Sequence, residues 1–474
     1  MAPMAPMAPM ARMTLPDVER LGAAPAALWT DLGRRLRAIG FTSAAAVPFA
    51  KLSVFAPDPR RAAMAKWHLR RIPEPHALAM RMLLFWDPVT PDEARRVLGD
   101  GIPLERLLDA GFVVGSGNGV VGAFVMQLLA DLYVVSDDLR MGGDVAMGAA
   151  PSTKSLAAAV RPVGRAGRAL DLGCGAGTLA LAMAQKCDRV VATDINARAV
   201  QLARMNAALN GLGNVDCRVG DLFAPVADET FDLIACQPPF VASDESAGST
   251  AFLFGGPRGD EFTMKVIEGI VARLAPGGSA FVMAEWPVVD GDPPLDTRIA
   301  GALGSREVSS LFLQSGGGDI DEHCARYALV RHPELDGYEE AALRSREHFE
   351  RMRIRALQPM LTVVRRVAGR AAWSSVVDVG QGPLSRARID AMFAVRDLVA
   401  GPDEALLSAK LRVPEKAGFP ADEVLGVVNV CSDIRDAIAG IAETDGRAPG
   451  EVQAEVLDRV KQALLAGHLE VAGR

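Results

Sequence analysis

Asp171, Gly173, Cys174, Gly175 and Gly177 fall within seven consecutive residues and combine one carboxylate with three glycines at alternate positions. Glycines let a backbone turn tightly and come close to a ligand, and a helix starting behind them turns its first N–H groups towards negative charge. The spacing is G-x-G-x-G, whereas a nicotinamide dinucleotide site uses G-x-G-x-x-G around a pyrophosphate. Asp171 would repel a pyrophosphate and suits a ligand that carries an ammonium group.

Two further acids stand at comparable places. Asp194, followed by Ile195, comes 21 residues after Gly173 and closes the next β-rich run, where a carboxylate can accept from both hydroxyls of a ribose. Asp221 follows the third such run, with Leu222 beside it to pack on a ring. Three acids after three successive strands describe an adenosine joined to an amino acid, which is S-adenosylmethionine. The fourth run ends in Cys236-Gln237-Pro238-Pro239-Phe240. This run resembles the post-strand catalytic loop of amino-group methyltransferases, and the resemblance implies that the side chain of Gln237 and a carbonyl of Pro238 accept from a planar NH₂ group while Phe240 stacks on it. Such a loop works by positioning and desolvation, because a sulfonium methyl is already electrophilic. Cys174 and Cys236 read as small packing residues, since no base stands near to form a thiolate.

These residues need a sheet to carry them. Strands are expected at Ala169–Leu172, Arg189–Asp194, Val215–Val219, Phe231–Cys236, Ser279–Glu285 and Ala325–Arg331, alternating with helices at Leu179–Gln185, Ala197–Asn210 and Glu261–Leu274. That alternation predicts a parallel, doubly wound α/β sheet over 145–334. Before it, 15–144 reads as a mostly helical, winged-helix-like lobe, with Thr90 and Pro91 opening one helix. Val120–Leu129 reads there as one strand after a Gly-rich turn. After it, 335–474 reads as an α+β domain, with a helix over Tyr338–Leu357, strands at Leu361–Arg366 and Trp373–Val379, and two helices near the end. Residues 1–14, with a threefold Met-Ala-Pro repeat, read as a disordered tail containing several possible start codons.

Composition excludes several classes. Half of the 474 residues are hydrophobic, and 51 Lys and Arg stand against 58 Asp and Glu, a net charge of −7. That balance disfavours a nucleic-acid binder, although Arg34 to Arg81 holds ten basic residues against Asp58 and Glu74. The six cysteines are scattered without CxxC pairs, so neither a metal site nor a disulfide scaffold is expected. No apolar run reaches membrane-spanning length, and a cytoplasmic location is expected.

With its glycine loop, its three acids and its Gln-Pro-Pro-Phe loop, Met147 to Pro333 resembles a class I S-adenosylmethionine-dependent methyltransferase. It is similar to the HemK-type small-domain methyltransferases of the N-P-P-Y pattern, which methylate release-factor glutamine, and to their nucleic-acid amino-methylating relatives. Pro151-Ser152-Thr153 loosely resembles that family's Pro-x-x-Thr segment, one residue shorter, and Gly259-Asp260-Glu261 also fits. Gln237 replaces the family's Asn and Phe240 its Tyr. The resemblance implies methyl transfer to an amino or amide nitrogen of a protein side chain or small molecule. Two alternatives stand beside it: transfer to O, S or N of a specialised metabolite, and a non-catalytic S-adenosylmethionine-binding module.

Overall fold

A computed structural model describes residues 15–49, 59–141, 143–243, 252–304, 307–332, 335–367, 372–380, 384–414 and 423–471. The Met-Ala-Pro repeat lies outside them. The N-terminal lobe contains helices α1 (Val18–Ala23), α2 (Ala26–Ala38), α3 (Ser43–Ala46), α4 (Pro59–Leu69), α5 (Pro75–Ala79), α6 (Pro91–Leu98) and α7 (Leu104–Asp109). Thr90 caps α6 in a reciprocal box with Glu93, and Pro91 takes the first turn. The expected strand over Val120–Leu129 is two strands. β1 (Val113–Ser116) pairs with β2 (Gly119–Gly122), and β3 (Val125–Leu129) pairs with β4 (Leu132–Ser136). Buried Ala123 and Phe124 separate the two hairpins.

The central sheet begins after α8 (Pro151–Val160). Its parallel half is built by β5 (Ala166–Leu172), α9 (Thr178–Ala184), β6 (Cys187–Asp194), α10 (Ala197–Leu209), β7 (Val215–Val219) and β8 (Phe231–Cys236). A short parallel pair, β9 (Val241–Ala242) and β10 (Phe254–Gly256), follows the β8 loop. Then come α11 (Glu261–Ile270), β11 (Leu274–Val289), α12 (Leu295–Leu303), β12 (Val308–Gln314), α13 (Ile320–Arg331), α14 (Tyr338–Arg351), β13 (Ile354–Arg366) and β14 (Ser374–Asp378). The strand order is β14-β12-β13-β11-β8-β5-β6-β7, with β13 antiparallel to both neighbours.

Three expectations are corrected by this sheet. The run Ala325–Arg331 is the end of helix α13, not a strand. Asp319 caps that helix by accepting from the Glu322 N–H, and the buried His323, Cys324 and Ala328 recur at helical spacing. The missing strand is β12, whose Val308–Leu313 stretch is buried on both faces and so shows no alternation. The boundary drawn at 334 also cuts the sheet, because β13 inserts between β11 and β12 and β14 pairs with β12. The helix expected over Tyr338–Leu357 accordingly stops at Arg351 and yields to β13.

The separate C-terminal core belongs to α16 (Asp403–Leu407), α17 (Glu423–Val430), α18 (Ile434–Asp445), α19 (Pro449–Ala466) and the pair β15 (Leu411–Arg412) with β16 (Glu470–Val471). The intervening α15 (Arg386–Ala400) joins the two cores. Its Ile389 and Phe393 lie in the sheet's core, and its Val395 and Leu398 pack on the C-terminal one.

The N-terminal lobe is fused to the sheet through α10, whose Leu202, Met205 and Leu209 share one core with Trp29 and Leu32. A Cβ on Gly33 would stand 1.7 Å from the Leu209 carbonyl, so only glycine lets α2 lie this close. Buried Asn206 accepts from the Val135 N–H at 2.9 Å and donates to the carbonyls of Val135 and Ala176 at 2.8 and 2.9 Å. It thereby ties β4 to the glycine loop. Arg198 grips the buried carboxylate of Asp137, with Nε 2.7 Å from Oδ2. Part of the basic stretch of this lobe serves the same internal packing. Arg70 and Arg81 both hold buried Asp87, Arg35 donates to the carbonyls of Arg96 and Val97, and Arg37 lies over Tyr133. Lys51 lies outside the described residues.

Candidate methyl-transfer site

The glycine loop leaves β5 and is fastened at three points. The Thr193 carbonyl at the end of β6 accepts from the N–H groups of Gly173 and Cys174, at 2.8 and 2.9 Å. The Met147 carbonyl accepts from the Ala176 N–H at 3.0 Å. Gly175 lies against that same carbonyl at φ +51°, where a Cβ would stand 2.8 Å from it. The Gly175 N–H donates to Asp194 Oδ2 at 2.8 Å, and the Asn196 N–H donates to Oδ1 at 2.9 Å. Asp194 is therefore a carboxylate held in one orientation at the strand tip. The Gly220 N–H donates to the Asp194 carbonyl at 2.9 Å, which brings the exposed Asp221 and half-buried Leu222 beside it. Ile195 is 71% exposed there, an aliphatic face open to a ring.

Asp171 is fully buried at the end of β5. One oxygen accepts from the Ala180 N–H in the first turn of α9 at 2.7 Å, and the other has no partner among the described residues. Burial pushes its carboxyl up to about 7, and the negative charge of Asp194 adds to the shift. Burial also raises the pKa of Asp194 itself. Cys174 and Cys236 are buried, and their thiols are pushed well above the usual cysteine value by desolvation, so both are neutral packing groups.

A cavity of about 780 Å³ opens against this loop. Asp171, Gly173, Cys174 and Gly175 line one side, and Gln237, Pro238 and Phe240 line the other. Asp194, Ile195, Gly177, Asp221 and Leu222 lie outside its wall, all but Gly177 at or just past the ends of β6 and β7. Gly177, at φ +86°, caps α9 instead. Gln237 is locked by the first turn of α8. The Thr153 hydroxyl donates to its Oε1 at 2.8 Å, and its Nε2 donates to Ser152 Oγ at 2.7 Å. These bonds hold the amide in place and, in this arrangement, leave one lone pair on Oε1 and one N–H for other partners.

The far wall contains residues that sequence reasoning did not single out. They are Glu285 on β11, Arg326 and Tyr327 on α13, and Met360 on β13. Glu285 ended an expected strand, but the helix that brings Arg326 and Tyr327 to it was read as a strand. Among the described residues, no group of three or more His, Cys, Asp or Glu could hold a metal ion.

The residues present fit S-adenosylmethionine. The unpartnered oxygen of Asp171 suits an ammonium group, and nothing stands within 4 Å of the position a Cβ would take on Gly173, which leaves space above the loop. The fixed carboxylate of Asp194 suits a ribose diol, and Ile195 suits the face of a base.

Comparison with known proteins agrees with this geometry. Residues 148–285 match the family model of the methyltransferase small domain. A release factor glutamine methyltransferase of Xylella fastidiosa (strain 9a5c) is 36% identical over 131 residues, which are 25% of this chain and 47% of that protein. The corresponding protein of Bordetella pertussis is 35% identical over 130 residues, 25% of this chain and 48% of its own length. The chain thus spans about half the length of the curated relatives it matches. The sheet order, the loop geometry and these matches together give the central unit the α/β fold of a class I methyltransferase, with residues 148–285 similar to the methyltransferase small domain and to HemK-like glutamine methyltransferases.

Proposed function

We propose that the central unit transfers the methyl group of S-adenosylmethionine to a planar NH₂ nitrogen, with a side-chain amide of a protein as the acceptor. The observation that carries this reading is the immobilised amide of Gln237, which faces the cavity a short loop away from Asp171. Bound S-adenosylmethionine supplies an electrophilic methyl group. The chain's own residues do the rest. Asp171 pairs with the ammonium group, and Asp194 accepts from the ribose hydroxyls, with Ile195, Asp221 and Leu222 around the base. The free lone pair of Gln237 Oε1 and the carbonyl of Pro238 accept from the two N–H bonds of the acceptor. That aims the nitrogen lone pair, while Phe240 covers the group and excludes water.

The similar proteins are named for glutamine methylation, which supports the amide acceptor. A small-molecule acceptor is the second reading, favoured by the apolar side chains that α13 and β13 add to the cavity. No helix among the described residues is long and apolar enough to cross a membrane.

Incubation with methyl-labelled S-adenosylmethionine and a cell extract tests the proposal. Label is expected in the protein fraction. Gln237→Ala should bind S-adenosylhomocysteine as wild type does and transfer methyl about a hundredfold more slowly, as when one positioned hydrogen-bond partner leaves a preorganised site. Label in small molecules alone would establish the second reading, and bound cofactor without any transfer would make the unit a binding module.

A further inference from the structure

The cavity continues past the Gln237 loop into a compartment that the glycine loop does not reach. Its wall is formed by the end of β11, the start of β13 and α13. Leu329, Val330 and Met360 make it apolar, and Glu285 places a carboxylate in it. Glu285 is not an incidental surface acid. Its Oε2 lies 2.8 Å from Nδ1 of His323, which is 3% exposed and wedged against Tyr327 and Phe349. Burial opposes its ionisation, yet the His323 and Arg326 contacts outweigh burial and hold its carboxyl below the usual range. The wall of the compartment therefore contains an ionised carboxylate, which can only accept hydrogen bonds.

The two oxygens of Glu285 are held differently. His323 fixes Oε2 from the interior. Among the described residues, Oε1 has only Arg326, at 3.3 Å, and that half-exposed guanidinium is shared with Glu322 at 3.1 Å. A contact this long and exposed contributes little and gives way to a better donor. Oε1 is thus an acceptor within reach of the compartment.

Its position relative to the reacting end follows from the sheet. β8 and β11 are parallel neighbours with Cys236 opposite Val282. Gln237 comes one residue after that pair and Glu285 three. At about 3.3 Å per residue and 4.8 Å between strands, the two backbones stand on the order of 8 Å apart.

We propose that Glu285 is an acceptor-binding residue, fixed by His323, which selects acceptors with an apolar body and a cationic or N–H donor group reaching beyond the methylated nitrogen. This rests on the methyl-transfer reading for what occupies the compartment, but binding alone can test it.

The probes are benzylammonium and its neutral analogue benzyl alcohol, titrated calorimetrically into protein saturated with S-adenosylhomocysteine. Wild type should bind benzylammonium at least fivefold more tightly than benzyl alcohol. Glu285→Gln keeps the shape and should erase the preference while leaving S-adenosylhomocysteine affinity unchanged. Arg326→Ala removes the competing cation but not the carboxylate, and should widen the preference. Equal binding of both probes by wild type, or a preference that survives Glu285→Gln, would overturn the proposal. Methyl transfer is not read in this experiment, so absence of transfer in the extract assay and failure of the Glu285 reading are separate results.

Discussion

Asp171 offers the sharpest test of how the cofactor end is built, because its burial makes opposite predictions for stability and for binding. Its carboxyl is fully buried, with one oxygen unpartnered, and its pKa is raised from the ordinary 3.8 to about 7. A group whose folded value lies above its unfolded one keeps its proton in the folded state and loses it on unfolding. The contribution of Asp171 to the stability of the ligand-free protein should therefore be full at about pH 4 and below, fall as pH rises to about 7, and level off above. The difference of about 3 pH units corresponds to roughly 4 kcal/mol at most. Asp171→Asn removes the ionisation but keeps an acceptor for the Ala180 N–H. The ligand-free variant should melt higher than wild type at pH 8, with a gap about half as large at pH 5.5. Binding goes the other way. An ammonium group beside Asp171 favours the charged form, so wild-type affinity for S-adenosylhomocysteine should be about tenfold weaker at pH 6 than at pH 8. The variant should bind weakly at both. Scanning calorimetry and titration across pH 5.5–8 read both effects. An Asp171→Asn protein less stable than wild type at pH 8, or one whose ligand affinity equals wild type there, would refute the buried-carboxylate argument.

Two further substitutions probe the supports of the site. Asp194→Ala should weaken S-adenosylhomocysteine binding by about 1.5–3 kcal/mol, through loss of a charged hydrogen-bond partner; unchanged affinity in a folded variant would remove Asp194 from the ribose role. Asn206→Leu leaves the N–H and carbonyl of Val135 and the carbonyl of Ala176 unsatisfied in the core, and should cost about 3 kcal/mol, lowering the melting temperature by about 5–10 °C. A shift under about 1 °C would mean that β4 is not anchored through this amide.

The residues proposed for the cofactor half of the candidate site could be picked out in the sequence because their relation is local. Asp171, Gly173, Cys174 and Gly175 fall in one turn, and Asp194 closes the neighbouring strand, so residue type and spacing fix their relation. The far half was not legible, because long-range pairing makes it. β13 comes 40 residues after β12 ends yet lies between β12 and β11, and nothing in the spacing of Ile354–Arg366 says which sheet it joins. The intervening α13 and α14 were split between two expected domains, so Arg326 and Tyr327 had no expected place near Glu285. β12 was hidden for a related reason: a strand buried on both faces loses the alternation that marks one.

The departures at Gln237 and at the α8 turn make sense as one change. Relative to an Asn-bearing loop, Gln237 reaches one methylene further, and the Pro151-Ser152-Thr153 segment is one residue shorter than the pattern it resembles. In the structure these two features meet. The longer side chain ends on the hydroxyls of Ser152 and Thr153, and both ends of its amide are satisfied. An amide with free ends could rotate by half a turn and present N–H where an acceptor needs a lone pair. In the flipped state Nε2 would replace Oε1 beside the Thr153 hydroxyl, offering no lone pair for the bond Thr153 now donates. Two hydroxyls could each reverse their roles, so Ser152 and Thr153 constrain the amide's place more firmly than its sense. The acceptor then completes the choice, because two N–H bonds pointing at Gln237 and the Pro238 carbonyl favour the state in which Oε1 faces them. Position is thus set by the protein and polarity by the acceptor, which is the division of labour expected of a site that works by orientation rather than by a strong base.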